Sequence, residues 1–224
     1  MKKQTRNKTI SKFKSAVAGI IFPCRCPYCH IVIRRDEYAC KKCADKLPKI
    51  VYHRFAIGGA PCASPLPYLN EYANAVKRFK FSGKGYLAQA FSFLIAKAVR
   101  ESYGEYSFDF ITCVPMHISS LRSRRYNQAE KLARECSERL DIPFLDVLEQ
   151  HKKKAAQHSC KRSERAKNVQ GVFRVADKPA VKGRNILLID DIITTGNTLG
   201  ECVKILKRAG CADVCCATLC TTVV

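Results

Sequence analysis

Apolar and polar positions divide the chain into a weakly patterned N-terminal quarter and a strongly patterned remainder. Residues 70–80 and 85–100 carry apolar side chains at helical spacing, the second with Leu87, Phe91, Leu94, Ile95 and Ala98 on one stripe. Residues 127–140 (NQAEKLARECSERL) open on Asn127, a capping residue type, and continue as an amphipathic helix. Residues 197–209 repeat the helical pattern and stop at Gly210, the residue type that most often follows a helix end. Three apolar runs, residues 108–115 (FDFITCVP), 184–191 (RNILLIDD) and 212–220 (ADVCCATLC), read as buried strands. Strands alternating with helices predict an α/β fold with a parallel sheet covered by helices, and such sheets bind ligands at the carboxyl ends of their strands. Nearer the N-terminus, residues 11–22 show only a weak helical face through Phe13, Val17, Ile20 and Ile21. Residues 56–68 (AIGGAPCASPLPY) are rich in Gly, Pro and small side chains, which predicts a turn-rich connector and a module boundary near residue 55.

Composition narrows the class of protein. A chain of 224 residues has room for one domain and a small appendage. With 47% apolar residues, 11 Gly and 9 Pro it is neither disordered nor collagen-like. Its apolar runs fall far short of the ~20 residues a membrane span requires. Forty Lys+Arg against 19 Asp+Glu leave a net charge of +21, which calls for an anionic partner: nucleic acid, a phosphorylated metabolite or a lipid surface. The first 54 residues hold 14 basic residues against 3 acids, and residues 150–174 hold 8 against Glu164 alone. The basic N-terminus runs into Ala16–Phe22 and then Pro23-Cys24, with no small-x-small cleavage site, so no secretory leader is expected. A reducing cytoplasm follows as the expected compartment, where paired cysteines read as metal ligands before disulfides.

Four of the 14 cysteines have metal-site spacing: Cys26-x2-Cys29, ten residues, then Cys40-x2-Cys43. Two such knuckles complete a tetrahedral four-thiolate site of the kind Zn²⁺ prefers, and a short segment with few apolar side chains gains its fold from the ion. Cys24 and His30 are alternative ligands on sequence alone. Cys202, Cys211, Cys215, Cys216 and Cys220 fall on predicted core elements and read as small buried side chains.

The second constellation is the 13-residue string Ile186–Thr198 (ILLIDDIITTGNT). A buried strand ends in Asp190 and Asp191, and a hydroxyl-rich loop of Thr194, Thr195, Gly196, Asn197 and Thr198 leads into a helix. Amides at a helix start together with threonine hydroxyls form an anion site, and glycine lets the backbone approach a phosphate closely. The acids suit ribose hydroxyls or a hydrated Mg²⁺. This string resembles the PRPP-binding motif of type I phosphoribosyltransferases. The resemblance implies that Asp190 and Asp191 hold ribose hydroxyls and Mg²⁺ while the Thr/Gly loop holds the 5-phosphate.

A third group follows the strand at 108–115: His117, Arg122, Arg124 and Arg125, then Tyr126-Asn127-Gln128 at a helix start. Arginines at a strand's carboxyl end beside a helix N-terminus suit a pyrophosphate. His117 reads as a loop hydrogen-bonding residue ahead of an acid–base role, and no residue is assigned as a general acid or base. A further block carries Gln157, Arg165 and Asn168. In order with the paired cysteines and the FKFSGKGYLA stretch at 79–88, these pieces resemble the ComF family, a zinc-ribbon-like finger fused to a type I phosphoribosyltransferase-like domain. In place of that family's usual L-H-P-R-R-L-R-x-R-G-F-N-Q, the chain has Ser119, Ser120 and Arg125 where two arginines and the glycine usually stand. If that glycine position has positive φ, Arg125 costs roughly 1 kcal/mol or more.

The resemblance implies a basic segment at 1–20, a zinc finger at 21–55 and a phosphoribosyltransferase-like domain at 56–224. It implies binding of PRPP or a related phosphoribosyl ligand with Mg²⁺, and a link to DNA uptake and natural transformation. The implied partners are single-stranded DNA and a competence helicase or another DNA-uptake protein. An inactive nucleic-acid-binding or adaptor module that uses PRPP as a signal, and an orphan phosphoribosyltransferase of nucleotide metabolism, are the alternatives. Lys152, Lys153, Lys154, Lys161, Arg162, Arg165 and Lys167 form a basic stretch that reads as solvated surface, as a lid or as a nucleic-acid groove. Residues 150–170 lack the aromatics such a groove uses. Phe79, Phe81 and Tyr86, interleaved with Lys77, Arg78, Lys80 and Lys84, are the better stacking candidates, with a core role as the competing reading.

Overall fold

The computed structural model describes residues 24–34, 36–152 and 171–222. The basic segment at 1–20, the weak helical face at 11–22, and Lys153 to Gln170 with Gln157, Arg165 and Asn168 lie outside the described residues. The chain forms two compact units, one ending at Lys46 and the other spanning Leu47–Val224.

In the small unit, the amide of Cys26 donates to the carbonyl of Ile31 at 2.8 Å and that of His30 to Cys26 at 3.1 Å, closing the first knuckle. The second knuckle turns into the one-turn helix α1 (Lys41–Ala44), with the amides of Cys43 and Ala44 both donating to the Cys40 carbonyl. Cys26, Ala39 and Cys40 form its buried cluster, packed by Tyr28, Ile33 and Tyr38. That is too little apolar burial to hold a fold without further support.

The larger unit is built on a mixed, mostly parallel sheet. Its strands are β1 (Tyr52–Phe55), β2 (Pro61–Ser64), β3 (Leu66–Pro67), β4 (Phe110–Cys113), β7 (Asn185–Ile193) and β8 (Asp213–Thr221). The order is β1-β2-β8-β7-β4, with β3 also on β8. Every pairing is parallel except β1 with β2. A separate antiparallel pair joins β5 (Leu148–Gln150) to β6 (Phe173–Val175). Ile186, Leu187, Leu188 and Ile189 are all fully buried, so β7 is covered on both faces, as its continuous apolar run predicts.

The helices are α2 (Asn70–Phe81), α3 (Leu87–Tyr103), α4 (Ile118–Arg124), α5 (Gln128–Leu140), α6 (Lys178–Val181) and α7 (Asn197–Arg208). Helices α3 and α5 pack on each other and on β8 and β7, while α7 packs against β6, β7 and β8. Asn127 caps α5 as predicted, its Oδ1 accepting from the Ala129 amide at 3.1 Å. Gly210 follows α7 with φ +88°. The five C-terminal cysteines are buried core side chains.

The stretch predicted as a connector departs from expectation. Pro61–Ser64 and Leu66–Pro67 are strands of the main sheet, and Tyr52–Phe55 is its antiparallel edge. The division between units accordingly falls after Lys46, ahead of the expected boundary near residue 55. Small side chains at Cys62, Ala63 and Ser64 serve close packing beside β8, where all three are buried, rather than a loop.

Candidate functional site

The carboxyl end of β7 carries the acids and runs directly into the Thr/Gly loop. Successive strand residues face opposite ways, and the two acids separate accordingly. Asp190 is half-buried and lines a small concavity with Ile192–Leu199, which includes Thr194, Thr195, Gly196, Asn197 and Thr198. Its Oδ1 accepts from the Asp191 amide at 2.8 Å. Asp191 is buried, and its Oδ2 lies 2.8 Å from the Lys80 ammonium.

Gly196 supplies the turn into α7 with φ +75°, a conformation that side chains resist. A β-carbon there would also stand 3.2 Å from the Phe55 carbonyl oxygen. The first amides of a helix have no partner within it, and the helix dipole places partial positive charge beside them. At the start of α7 these amides adjoin the three threonine hydroxyls. Asn197 Nδ2 donates to Thr195 Oγ1 at 2.9 Å, ordering one wall. Arg54 on β1 donates to the carbonyls of Thr222 at 2.7 Å and Thr194 at 3.4 Å, tying the loop to the sheet edge.

The β1–β2 turn is the other support of this loop. The Ile57 amide donates to the Gly196 carbonyl at 3.4 Å. Gly200, one turn into α7, lies directly under Ile57: a β-carbon there would overlap the Ile57 carbonyl oxygen and stand 2.9 Å from the Ile57 Cβ. In an exposed helix Gly→Ala stabilises by about 1 kcal/mol. Here overpacking against backbone reverses the sign. Gly200→Ala is expected to cost about 1–3 kcal/mol and lower Tm by several degrees in a thermal melt, whereas an unchanged or raised Tm contradicts this packing.

After β4, the strand that pairs with β7, His117 caps α4. Its Nδ1 accepts from the Ser119 amide at 3.2 Å and pairs with Ser119 Oγ at 2.8 Å, so the histidine is a loop hydrogen-bonding residue. Ser119, one of the serines in place of an arginine, completes this cap. Arg125 ends α4 with φ +70°, the left-handed conformation that favours glycine. Arg122, Arg124 and Arg125 form no ion pair with a carboxylate among the described residues. The Arg124 guanidinium lies 5.2 Å from the centre of the Phe81 ring, a cation–π contact. Of the three stacking candidates, Phe79 is core, while Phe81 is 68% exposed and Tyr86 43% exposed.

Lys80 is the residue the sequence reading missed. Burial pushes its ammonium pKa down, but the Asp191 carboxylate outweighs this, with Asp190 assisting, and holds it above the ordinary lysine value. The end of α2 that carries it is fastened from the Tyr126-Asn127-Gln128 string. Tyr126 donates its hydroxyl to the Phe79 carbonyl, and Gln128 Nε2 donates to the Lys80 carbonyl at 3.3 Å. Asn127 Nδ2 meanwhile donates to the Val114 carbonyl at 3.1 Å, holding the end of β4. The string is therefore scaffolding for the end of α2, which carries the lysine, and for the end of β4. The FKFSGKG stretch drew attention for its aromatics, and its first lysine, Lys80, is the one that reaches Asp191.

In the small unit, the sulfur atoms of Cys26, Cys29, Cys40 and Cys43 all lie within 4.8 Å of one another. A tetrahedral four-thiolate zinc site, with Zn–S of about 2.3 Å, places its sulfurs about 3.8 Å apart. The four cysteines therefore fit a structural Zn²⁺, and neither Cys24 nor His30 belongs to the cluster. The Ile31 amide lowers the Cys29 thiol to about 7, toward the thiolate a metal needs, whereas burial pushes Cys40 up. All thirteen cysteines among the described residues are free thiols. No helix among the described residues is long and apolar enough to cross a membrane.

Residues 86–222 match the family described as phosphoribosyl transferase domain. The chain is 29% identical over 196 residues to competence protein F of Haemophilus influenzae, covering 84% of this chain and 82% of that one. It is 28% identical over 201 residues to the DNA utilization protein YhgH of Escherichia coli K12, covering 88% of this chain and 84% of that one. Over 137 residues it is 34% identical to competence protein ComFC of Streptococcus pneumoniae, covering 61% of this chain and 57% of that one.

Proposed function

The chain belongs to the phosphoribosyl transferase domain family, and from that premise we propose that it binds PRPP, or a related phosphoribosyl ligand, with Mg²⁺ in the service of DNA uptake. The observation that carries this reading is the single concavity shared by Asp190 and the Thr194–Thr198 loop at the carboxyl end of β7. The threonine hydroxyls and the amides at the start of α7 take the 5-phosphate. Asp190 and Asp191 take the ribose hydroxyls and offer the hard oxygen ligands Mg²⁺ prefers. Arg122, Arg124 and Arg125 take the pyrophosphate, with His117 holding their helix in place. Mg²⁺, when bound, neutralises pyrophosphate charge.

The four-cysteine unit is a structural zinc finger. The reading places the protein in the cytoplasm, working with single-stranded DNA and with other uptake proteins, a competence helicase among them. Names of similar proteins, competence protein F and DNA utilization protein YhgH, support the DNA link. So does the exposed Phe81 ring under Arg124, a surface of the kind on which an unpaired base stacks.

Thermal melts test the ligand. PRPP with Mg²⁺ at about 100 times its Kd adds about 2.7 kcal/mol, which raises Tm by roughly 5–10 °C in a chain of this size; no shift at millimolar PRPP overturns the reading. Pyrophosphate release from PRPP in the presence of candidate bases or amines, which accept the phosphoribosyl group, then separates an enzyme, which releases it, from a sensor, which binds PRPP without release. For the DNA surface, Phe81→Ala is expected to weaken an oligothymidylate by about 1–3 kcal/mol, with the steep salt dependence of phosphate contacts retained. Unchanged affinity in a filter-binding assay removes Phe81 from the interface.

A further inference from the structure

The proposed metal ligand Asp191 already has a cation. Lys80 places its ammonium 2.8 Å from Asp191 Oδ2, and the two side chains are only 18% and 13% exposed. The lysine does not sit there by chance of a flexible side chain. Its backbone carbonyl accepts from Gln128 Nε2 at 3.3 Å, the preceding carbonyl accepts from the Tyr126 hydroxyl, and Gln128 itself is buried. In the other ion pairs among the described residues the basic side chain is 42–77% exposed, whereas both members of this pair are enclosed at the acid end of β7.

Mg²⁺ or Mn²⁺ needs the carboxylate oxygen at about 2.0–2.1 Å, and a divalent ion there would stand against a lysine held on the same oxygen. Two like charges so close in a partly buried site repel strongly. Asp190 is left as the accessible acid, and one carboxylate with no second protein charge is a weak site for a free divalent ion.

We propose that Lys80 is a tethered cation that closes the acid pair to free divalent metal. The metal then enters only as a complex with its phosphoribosyl ligand, whose phosphates supply the missing oxygens and draw the ammonium away from Asp191. The inference rests on the ligand assignment given under Proposed function, but its first consequence is measurable without any ligand.

The test is Mn²⁺ binding to the zinc-loaded full chain in the absence of PRPP, read by electron paramagnetic resonance of the free ion. Lys80→Met is expected to bind one Mn²⁺ at least ten-fold more tightly than wild type. The gain should disappear in Lys80→Met/Asp191→Asn, and Lys80→Arg, which keeps the charge, should behave as wild type. Lys80→Gln, which keeps a hydrogen bond to Asp191, is the second variant should the methionine protein fold poorly, and the same direction of change is expected. Mn²⁺ affinity in both neutral variants equal to wild type overturns the proposal, as does a gain that survives Asp191→Asn. PRPP binding is measured separately on the same proteins: a Mn²⁺ gain in a chain that never binds PRPP upholds the closure by Lys80 and removes the ligand reading alone.

Discussion

Replacing both acids, Asp190→Asn with Asp191→Asn, is expected to abolish the PRPP-dependent rise in Tm. Each hydrogen bond to a charged group contributes about 1.5–3 kcal/mol, so two carboxylates account for roughly a hundred-fold or more in affinity, and the metal ligands are lost with them. The double variant carries a second effect that must be separated. Asp191→Asn leaves Lys80 buried without its counter-charge, and breaking a buried pair costs about 3–5 kcal/mol. Its unliganded Tm should therefore fall. Asp190→Asn alone keeps the Lys80–Asp191 pair, so its unliganded Tm should match wild type while its response to PRPP drops at least ten-fold in apparent affinity. A double variant that still responds to PRPP as wild type does would place the ligand elsewhere.

The other large effect concerns the finger. Structural Zn²⁺ binds with about 10–16 kcal/mol in peptides of this kind, far more than the small apolar cluster around Cys26 and Cys40 could supply. Stripping the metal with a strong chelator, or introducing Cys40→Ser, should therefore unfold the unit ending at Lys46. Limited proteolysis should then cut within residues 24–46, while the larger unit, with its own core, stays resistant. A colorimetric zinc assay should release one ion per chain from wild type and none from the serine variant. A finger that stays protease-resistant without metal would show that the four thiols are not its support.

Much of the larger unit can be read from the sequence because its elements are long and strongly periodic. The buried run at 184–191 and the stripe from Leu87 to Ala98 are decided by hydrophobic spacing alone, and both appear as β7 and α3. The Thr/Gly loop was legible because an unusual ordered string leaves few other structures. Strands β1 and β2 were not: Gly58 and Gly59 announce the turn that joins them, but Cys62–Ser64 enter the main sheet through β8, 154 residues away at the Ser64–Thr218 hydroxyl pair. The sheet in that region is fixed by tertiary packing, which no local pattern carries.

The candidate site shows the same division. Asp190, Thr194, Thr195, Gly196, Asn197 and Thr198 are consecutive or nearly so, and the structure gathers them on one concavity as the spacing implies. The pairing of Lys80 with Asp191 was invisible because the two are distant in sequence and the neighbouring Phe79 and Phe81 suggested stacking. Arg125 has positive φ, so the condition attached to that position is met and the left-handed backbone carries its cost of roughly 1 kcal/mol or more. The string at 126–128, legible in the sequence only as a helix start, is structural support: it donates hydrogen bonds to the Phe79, Lys80 and Val114 carbonyls.

The most direct measurement of the central claim is isothermal titration calorimetry of the zinc-loaded protein with PRPP in the presence of Mg²⁺. One saturable site per chain is expected, with affinity lowered at least ten-fold by Asp190→Asn and with ribose 5-phosphate competing for the same loop. Absence of saturable heat at millimolar PRPP, or binding that Asp190→Asn leaves intact, contradicts the assignment of the β7–α7 loop as a phosphoribosyl site.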